Sequence, residues 1–236
     1  MNAVVEKQVY ISRWTFKHLP LVFHPIIMVL TSEAMTLLFG QETPPISTFH
    51  SSQYRAHNQN WDISQAKDHL IYTANSDGLL QFDGTIWKLY PLPNGQIVRT
   101  ALANAGSNKK LRKQPDDFAE DRIYVGGFGE FGYWLKNKNG ALEYNSLSKN
   151  LKLQSLDTEE IWHILRTDDY IYFQSFAYIY RYDGQTITEI KGSTSFMFLK
   201  EANKKLLIQF IGAGLYELKD TQFVAVAGTQ ALSHTT

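Results

Sequence analysis

A glycine-rich segment, GFGEFG from Gly127 to Gly132, matches the G-x-G-x-x-G spacing of dinucleotide-binding loops. In such loops the glycines open a helix whose N-terminus holds a pyrophosphate. Here the next residues are YWLKNKNG, which are typical of a strand and a turn. A kinase glycine loop does join two strands, but no V-A-I-K, H-R-D or D-F-G motif follows. The glycines therefore predict a sharp turn between two strands.

Acidic residues stand beside glycine at three turns. The carboxylates of Asp83 and Asp183 could form an acid–base pair if they lay close together, but each Asp-Gly dipeptide lies between two strand-like runs. An Asp-Gly pair in that position favours a two-residue type I′ hairpin. The segment NSDG at residues 75–78 lacks the spaced acids and terminal glutamate of an EF-hand. We therefore predict turn roles for these acids and no metal site.

His163 follows Trp162 in a predicted inner strand, where it could face a central channel as an acid or base. No partner acid is identifiable, so a packed, hydrogen-bonded histidine is the favoured interpretation. His57 and His69 do not have H-E-x-x-H spacing for zinc. The chain has no cysteine, which excludes disulfides, thiolate metal sites and a cysteine nucleophile. We predict neither a catalytic residue nor a cofactor.

The charges of the chain balance, with 23 Lys and Arg residues against 23 Asp and Glu residues. This balance gives no electrostatic reason to expect nucleic acid or an anionic membrane as a partner. A basic run, KKLRK at residues 109–113, is followed directly by acids at residues 116–121. Because the two halves nearly cancel, the run indicates a solvated insertion rather than a nucleic-acid site.

The chain repeats a pattern of four short strands, seen most clearly at residues 159–191. There the β-branched and aromatic runs predict strands at 161–165, 170–176, 178–182 and 186–191. The pattern recurs at residues 61–93, 97–147 and 196–227, with a polar insertion at 104–121 in the second unit. Four strands per repeat of roughly 40–45 residues are the signature of a β-propeller.

An immunoglobulin-like sandwich is the competing all-β architecture, and its strands would be apolar on one face only. The second strand of these units instead carries apolar residues on both faces, as in YIYF at residues 170–173. A strand held between two neighbouring blades requires that pattern. We predict an all-β fold of about four four-stranded blades that form an incomplete ring.

The first 40 residues differ from the rest, with a basic lead followed by the apolar run LPLVFHPIIMVL and a small residue before Gln41. This layout predicts a secretory signal peptide, with a start codon assigned too far upstream as an alternative. A membrane anchor is disfavoured because Glu33 interrupts the apolar residues that a span of about 20 would need. We predict a linker at 41–58, blades at 59–228 and a tail at 229–236.

Three segments together resemble a bacterial family. They are SDGLLQFDGTIWKLYPLPNGQIVRT at 76–100, RIYVGGFGEFGYW at 122–134 and IYFQSFAYIYRYDG at 171–184. They are similar to the two-component regulator propeller repeats of periplasmic sensors in which a triple-tyrosine sandwich, a membrane helix and a helix-turn-helix domain follow. The resemblance covers roughly residues 59–226. It implies a periplasmic propeller that senses a glycan or another extracytoplasmic ligand, or relays the state of a partner protein, and it supplies no catalytic residues.

We therefore expect a non-enzymatic sensor propeller of a signal-transduction regulator, present as a fragment without the signalling domains. The alternatives are a propeller enzyme acting on polysaccharide, either a lyase or a glycosidase, and a protein-interaction scaffold. Ligand contacts are expected from the loops between the second and third strands of each unit. The candidate residues are Asn75, Asp77, Glu130 and Gln174.

Overall fold

The computed structural model describes residues 46–103, 122–149, 151 and 155–234. The predicted signal peptide and the insertion at 104–121 lie outside the described residues.

A one-turn helix, α1 (Ser51–Tyr54), precedes four antiparallel sheets of four strands each, which we call blades 1 to 4. Blade 1 consists of β1 (Asn60–Gln65), β2 (Ile71–Asn75), β3 (Gly78–Phe82) and β4 (Trp87–Tyr90). Blade 2 consists of β5 (Val98–Ala103), β6 (Ile123–Gly127), β7 (Glu130–Lys136) and β8 (Leu142–Ser146). Blade 3 consists of β9 (His163–Arg166), β10 (Ile171–Gln174), β11 (Tyr178–Tyr182) and β12 (Ile187–Lys191). Blade 4 consists of β13 (Phe196–Ala202), β14 (Lys205–Phe210), β15 (Leu215–Lys219) and β16 (Gln222–Ala225).

Each blade is a meander in which consecutive strands pair. The first strands of successive blades touch one another: β1 contacts β5, β5 contacts β9, and β9 contacts β13. These four strands are therefore the inner strands, and the others fan outward from them. The prediction of β-propeller repeats with four four-stranded blades is confirmed.

The hydrophobic core is divided into three clusters, one at each junction between successive blades. The second strand of a blade serves two of them at once. In β6, Ile123 and Val125 pack toward blade 1, whereas Tyr124 packs toward blade 3. In β10, Phe173 packs toward blade 2 and Tyr172 toward blade 4. The two-sided apolar pattern of the second strands thus has the cause that the sequence predicted.

The Asp-Gly turns are where predicted, but their type is different. Each turn is closed by a backbone hydrogen bond, from the amide of Asp183 to the carbonyl of Thr186 at 3.2 Å and from the amide of Asp83 to that of Ile86 at 3.3 Å. Oδ1 of each Asp also accepts from the next amides, Gln185 at 3.0 Å and Thr186 at 2.7 Å in blade 3, Thr85 at 2.8 Å and Ile86 at 2.7 Å in blade 1. A type I′ turn needs positive φ at both central residues, but here the glycine has it and the residue after it does not, so the type I′ prediction was wrong.

The glycine-rich segment forms the predicted turn between β6 and β7, with Gly129 in the left-handed region at φ 64°. The other glycines serve close packing. A Cβ on Gly127 would lie 2.0 Å from the carbonyl oxygen of Ile97, and one on Gly132 would lie 2.3 Å from that of Asn145. The matching G-x-G-x-x-G spacing therefore reflects sheet packing and a turn.

The segment before β1 packs against blade 1. The Phe49 ring lies 5.0 Å from Phe82 and 5.4 Å from Trp87, and Tyr54 lies 5.6 Å from Trp87. These aromatic contacts cover the outer strands of blade 1 on the side away from blade 2.

Candidate functional site

A register shift occurs at the start of the inner strand in blades 1, 2 and 4. In β1 the pairing moves from Asn60 opposite Asn75 to Asp62 opposite Ala74, so that Trp61 is an extra, unpaired residue. The register shifts identically around Arg99 in β5 and around Met197 in β13. Trp162, directly before β9, holds the equivalent place in blade 3. A β-bulge of this kind redirects one side chain out of the pleat.

The residues at this position in the first three blades converge. The guanidinium of Arg99 lies 3.7 Å from the ring centroid of Trp61 and 5.0 Å from that of Trp162. The two indoles are 6.3 Å apart, and Phe176 of the β10–β11 loop lies 5.5 Å from Trp162. Nε of Arg99 donates to the Glu160 carboxylate. We call Trp61, Arg99, Glu160, Trp162 and Phe176 the axial cluster.

The charged side chains of the axial cluster are largely buried, whereas its aromatic rings are exposed. The side chains of Arg99 and Glu160 are 15% and 18% exposed. Trp61, Trp162 and Phe176 are 37%, 36% and 51% exposed. Nη1 of Arg99 is buried and has no hydrogen-bond partner. The cluster therefore offers flat apolar faces around a fixed ion pair, an arrangement that suits stacking against a ring.

Hydrogen bonds from neighbouring residues hold the axial cluster in place. Nε1 of Trp61 donates to Oγ of Ser76 at 3.1 Å, which ties the bulge to the β2–β3 loop. The carboxylate of Asp62 accepts from Oγ1 of Thr100 at 2.8 Å and from the amide of Ala101 at 3.2 Å. The carboxylates of Asp62 and Glu160 are thus engaged in holding blades together. An acid so engaged is poorly placed to exchange protons with a substrate.

Of the predicted contact residues in blade 1, Asn75 is fully buried and Asp77 is exposed. Nδ2 of Asn75 lies 2.6 Å from the carbonyl oxygen of His57 and 2.7 Å from Oδ1 of Asn60. Its Oδ1 accepts from the amide of Asp77 at 2.9 Å. Asn75 therefore shapes the loop that presents Asp77 next to Ser76, the partner of Trp61.

Glu130 faces into blade 2. Its Oε1 accepts from the Tyr144 hydroxyl at 2.8 Å and from Oγ of Ser146 at 2.7 Å. Burial raises the pKa of Tyr144, and the Glu130 carboxylate raises it further, so the phenol keeps its proton and donates it. Glu130 thereby links the start of β7 to β8.

Gln174 is buried opposite His163, at the junction with blade 4. Within the described residues Oε1 of Gln174 and Nε2 of His163 have no hydrogen-bond partner, but His163 does hydrogen-bond to the backbone of Leu199, as predicted. Burial lowers the pKa of His163, and the charge of Lys200 lowers it further, against an opposing effect of Asp62. This histidine is therefore neutral and packed.

Sequence reasoning missed the axial cluster. It considered His163 at the channel and passed over Trp162, although a large side chain stands directly before the same inner-strand position in every unit. The signal was available as four short segments: NWDI at 60–63, VRTA at 98–101, IWHI at 161–164 and FMFL at 196–199.

Within the described residues no group of three or more His, Cys, Asp or Glu side chains could hold a metal ion. The same part of the chain contains no helix that is long and apolar enough to cross a membrane.

Comparison of the sequence with protein-family models and with curated proteins finds no match. Solved structures do resemble the fold. The extracellular domain of the one component system BT4673 from B. thetaiotaomicron matches with a TM-score of 0.55 and 13% identity, over 78% of this chain and 24% of the other. The extracellular domain of the hybrid two component system BT3049 from the same organism matches with a TM-score of 0.55 and 17% identity, over 78% of this chain and 27% of the other. Virginiamycin B lyase from Staphylococcus aureus gives a TM-score of 0.48 at 11% identity, over 72% of this chain and 56% of the other.

The chain spans about a quarter of the length of the two Bacteroides structures. At these identities the likeness concerns the fold, which the predicted resemblance to sensor propellers anticipated. The chain is a β-propeller segment with the fold of the extracellular domains of these bacterial one- and two-component systems.

Proposed function

We propose that this chain is the ligand-sensing or interaction part of a signal-transduction regulator, located outside the cytoplasm and acting without catalysis. Its likeness in fold to extracellular domains of one- and two-component systems supports the sensing role and the location. The secretory signal predicted at residues 1–40 belongs to the same proposal.

The observation that carries the proposal is the axial cluster. Three blades each direct the side chain at the start of the inner strand to one place, where two indoles and a phenyl ring stay exposed around an ion pair. Rigid aromatic faces backed by hydrogen-bonded main chain lose little entropy when a ligand stacks on them. The ligand class we propose is a glycan, whose sugar rings present flat C–H faces to such side chains.

The four loop residues keep distinct parts in this proposal. Asp77, which is exposed and follows the Trp61 partner Ser76, would contact the ligand directly. Asn75, Glu130 and Gln174 would support the binding site without touching the ligand, because their side chains are buried or hydrogen-bonded within the blades. Alanine at those three positions should lower stability as well as binding.

A glycan array probed with the full chain tests the proposal, followed by calorimetric titration of the strongest binder. Trp61→Ala and Trp162→Ala should each weaken that binding by roughly tenfold or more, the usual cost of removing a central aromatic contact. Asp77→Ala should weaken it less. Ile86→Ala is the control, because Ile86 is 65% exposed in the outer turn of blade 1. An array without binders refutes the glycan assignment, and unchanged binding in both tryptophan variants refutes the site.

The polysaccharide lyase or glycosidase alternative receives less support. A glycosidase needs one protonated and one ionised carboxyl facing a common cavity. Beside the axial cluster, Glu160 is committed to Arg99 and Asp62 to the β1–β5 contact, which leaves Asp77 as a single exposed carboxylate rather than a pair. Cleavage of the oligosaccharide by hydrolysis or elimination during the titration would favour the enzyme alternative again.

A further inference from the structure

The glycine-rich turn between β6 and β7 presents one large aromatic side chain to the surface. In the part of the chain that the structure describes, five aromatic side chains are exposed. Three of them belong to the axial cluster, and a fourth, Phe49, packs on the outer strands of blade 1. The fifth is Phe128, which is 52% exposed between Gly127 and Gly129. It belongs to none of the three hydrophobic clusters, so burial in the core does not explain its type.

Main-chain hydrogen bonds hold Phe128 directly opposite Glu160, the acidic member of the axial cluster. The residues on either side of Phe128 bond to the residues on either side of Glu160, each at 2.9 Å: the amide of Gly129 donates to the carbonyl of Glu159, and the amide of Ile161 to that of Gly127. The two residues thus form the antiparallel pair that lies between two hydrogen bonds. In such pairs the Cα atoms are about 4.5 Å apart and the side chains stand on the same side. Phe128 therefore borders the axial cluster where that cluster meets blade 2.

The glycines of the segment GGFG at 126–129 make this placement possible. A Cβ on Gly126 would lie 2.5 Å from Cγ2 of Ile161, so the chain that leads to β9 could not approach β6 so closely. Gly127 meets a carbonyl oxygen in the same way, and Gly129 has a left-handed φ. Packing and backbone conformation thus require glycine at three of the four positions. Neither requires a phenyl ring at the fourth, Phe128.

We propose that Phe128 is a further ligand-contact residue beside the axial cluster, and that the ligand is an oligosaccharide of several sugar rings. The inference rests on the proposed function, because it takes a glycan as the ligand of the axial cluster. The exposed aromatic faces come from three blades: Trp61 from blade 1, Phe128 from blade 2, and Trp162 with Phe176 from blade 3. One sugar ring can stack on one or two of these faces, whereas a chain of linked rings can meet all of them.

The exposure of Phe128 is found at a complete junction of the fold. Blade 2 has blade 1 on one side and blade 3 on the other, and a hydrophobic cluster fills each of the two junctions. Phe128 lies at the end of these junctions rather than on a sheet face. Because Glu160 is paired with Arg99, the surface beside the phenyl ring is largely apolar, which suits the C–H face of a sugar ring.

Calorimetric titration with a length series tests the inference. The probes are the mono-, di-, tri- and tetrasaccharide of the glycan that binds most tightly on the array, with displacement of the tetrasaccharide for the weakest probes. The wild-type affinity should rise roughly tenfold or more from the monosaccharide to the tetrasaccharide, because additional rings reach additional aromatic faces. Phe128→Ala should lower the tetrasaccharide affinity roughly tenfold and leave the monosaccharide affinity unchanged. Trp162→Ala should weaken both, because the shortest probe also needs the axial cluster.

Two variants control for damage to the fold, which far-UV circular dichroism would verify as intact. Phe128→Tyr keeps the ring and should bind the tetrasaccharide within about twofold of the wild type. Ile211→Ala truncates a side chain of similar exposure, 49%, at the first position of the β14–β15 loop, the equivalent loop of blade 4. The amide of Ile211 bonds to the carbonyl of Ser195 at 2.9 Å rather than to the axial cluster, so this variant should leave every titration unchanged.

Three results would overturn the inference. The first is a wild-type affinity that does not change with length. The second is an equal loss for all probes in Phe128→Ala, which would reflect a disturbed Glu160 rather than a separate contact. The third is unchanged binding in Phe128→Ala, which would leave a protein surface as the partner of this ring. In each case weaker binding by Trp162→Ala would still support the proposed function, whereas an array without binders removes the glycan assignment and this inference together.

Discussion

Arg99 should contribute more to the stability of the inner-strand junction than an exposed arginine would. Arg99→Met removes the guanidinium while keeping an apolar stem of similar length. Two cation–π contacts, at 3.7 Å and 5.0 Å, are lost. Because both indoles are more than one-third exposed, we take the low end of the usual range, about 0.5 kcal/mol for each contact. Glu160 also loses its partner, and because it is 18% exposed we take about 2 kcal/mol, below the roughly 3–5 kcal/mol of a fully buried pair. The expected total loss is then roughly 3 kcal/mol.

Arg181 provides the matched control. Its Nη1 pairs with Asp220 at 2.7 Å and its guanidinium lies 4.7 Å from the Tyr170 ring, so the chemistry is the same. Asp220, however, is 79% exposed, and water can replace its partner. Exposed ion pairs contribute about 0–1 kcal/mol, so Arg181→Met should cost about 1 kcal/mol.

Urea unfolding followed by far-UV circular dichroism measures both losses, because tryptophan fluorescence would report on the cluster itself. The double variant Arg99→Met with Glu160→Gln should recover part of the loss, since the uncompensated charge is gone. If Arg99→Met and Arg181→Met cost the same within about 0.5 kcal/mol, burial of the ion pair does not stabilise this junction.

Three further predictions follow from other parts of the blades. Gly127→Ala should lower the melting temperature more than Gly140→Ala. A Cβ at position 127 would lie 2.0 Å from a carbonyl oxygen, whereas one at position 140 would have nothing within 4 Å and would be strained only by the left-handed φ of 77°. Equal losses would contradict the packing role of Gly127. The amides of Ile86 and then Thr85 lower the pKa of Asp83 in the folded state. Its stabilising contribution is therefore present above its ordinary pKa of about 4 and is lost as the pH falls through the folded value. Asp83→Ala should flatten this part of the acid unfolding profile, and an unchanged profile would argue against the carboxylate closing the loop. Burial raises the pKa of Tyr182 to about 12, against a lowering effect of Arg122. Stability should thus be complete below about pH 10 and fall between there and pH 12, with a smaller fall in Tyr182→Phe, as absorbance titration and unfolding at each pH would show.

The blades could be predicted because their strands carry two independent signals. Apolar residues on both faces of β6 and β10 follow from burial between two neighbouring blades, and turn residues separate the runs. The strand ends were less predictable. The second strand of blade 3 was expected to reach Phe176, but β10 ends at Gln174 and Phe176 is 51% exposed in the loop. An aromatic residue that serves a surface looks the same in sequence as one that extends a strand.

Loop position alone did not distinguish contact residues from supporting ones. Asn75 and Asp77 stand two residues apart in the same turn, yet one is fully buried and the other exposed. The difference arises because Nδ2 of Asn75 reaches the carbonyl of His57, 18 positions earlier in the chain. Such a partner depends on how residues before β1 return to the loop, and no local pattern encodes it.

The bulges explain why the axial cluster is informative about function. A residue in a regular inner strand, such as Ile164 at 4% exposure, must suit the neighbouring blade, so packing dictates its type. A bulged residue is outside the pleat and carries no such constraint, which is why the four equivalent positions hold Trp, Arg, Trp and Met while the positions two residues later are all aliphatic. Small polar residues in place of Trp61 and Trp162 would cost the fold little beyond the contacts with Arg99 and Ser76, since both indoles remain more than one-third exposed. Large exposed aromatic rings at positions that folding constrains so little indicate a contact outside this chain.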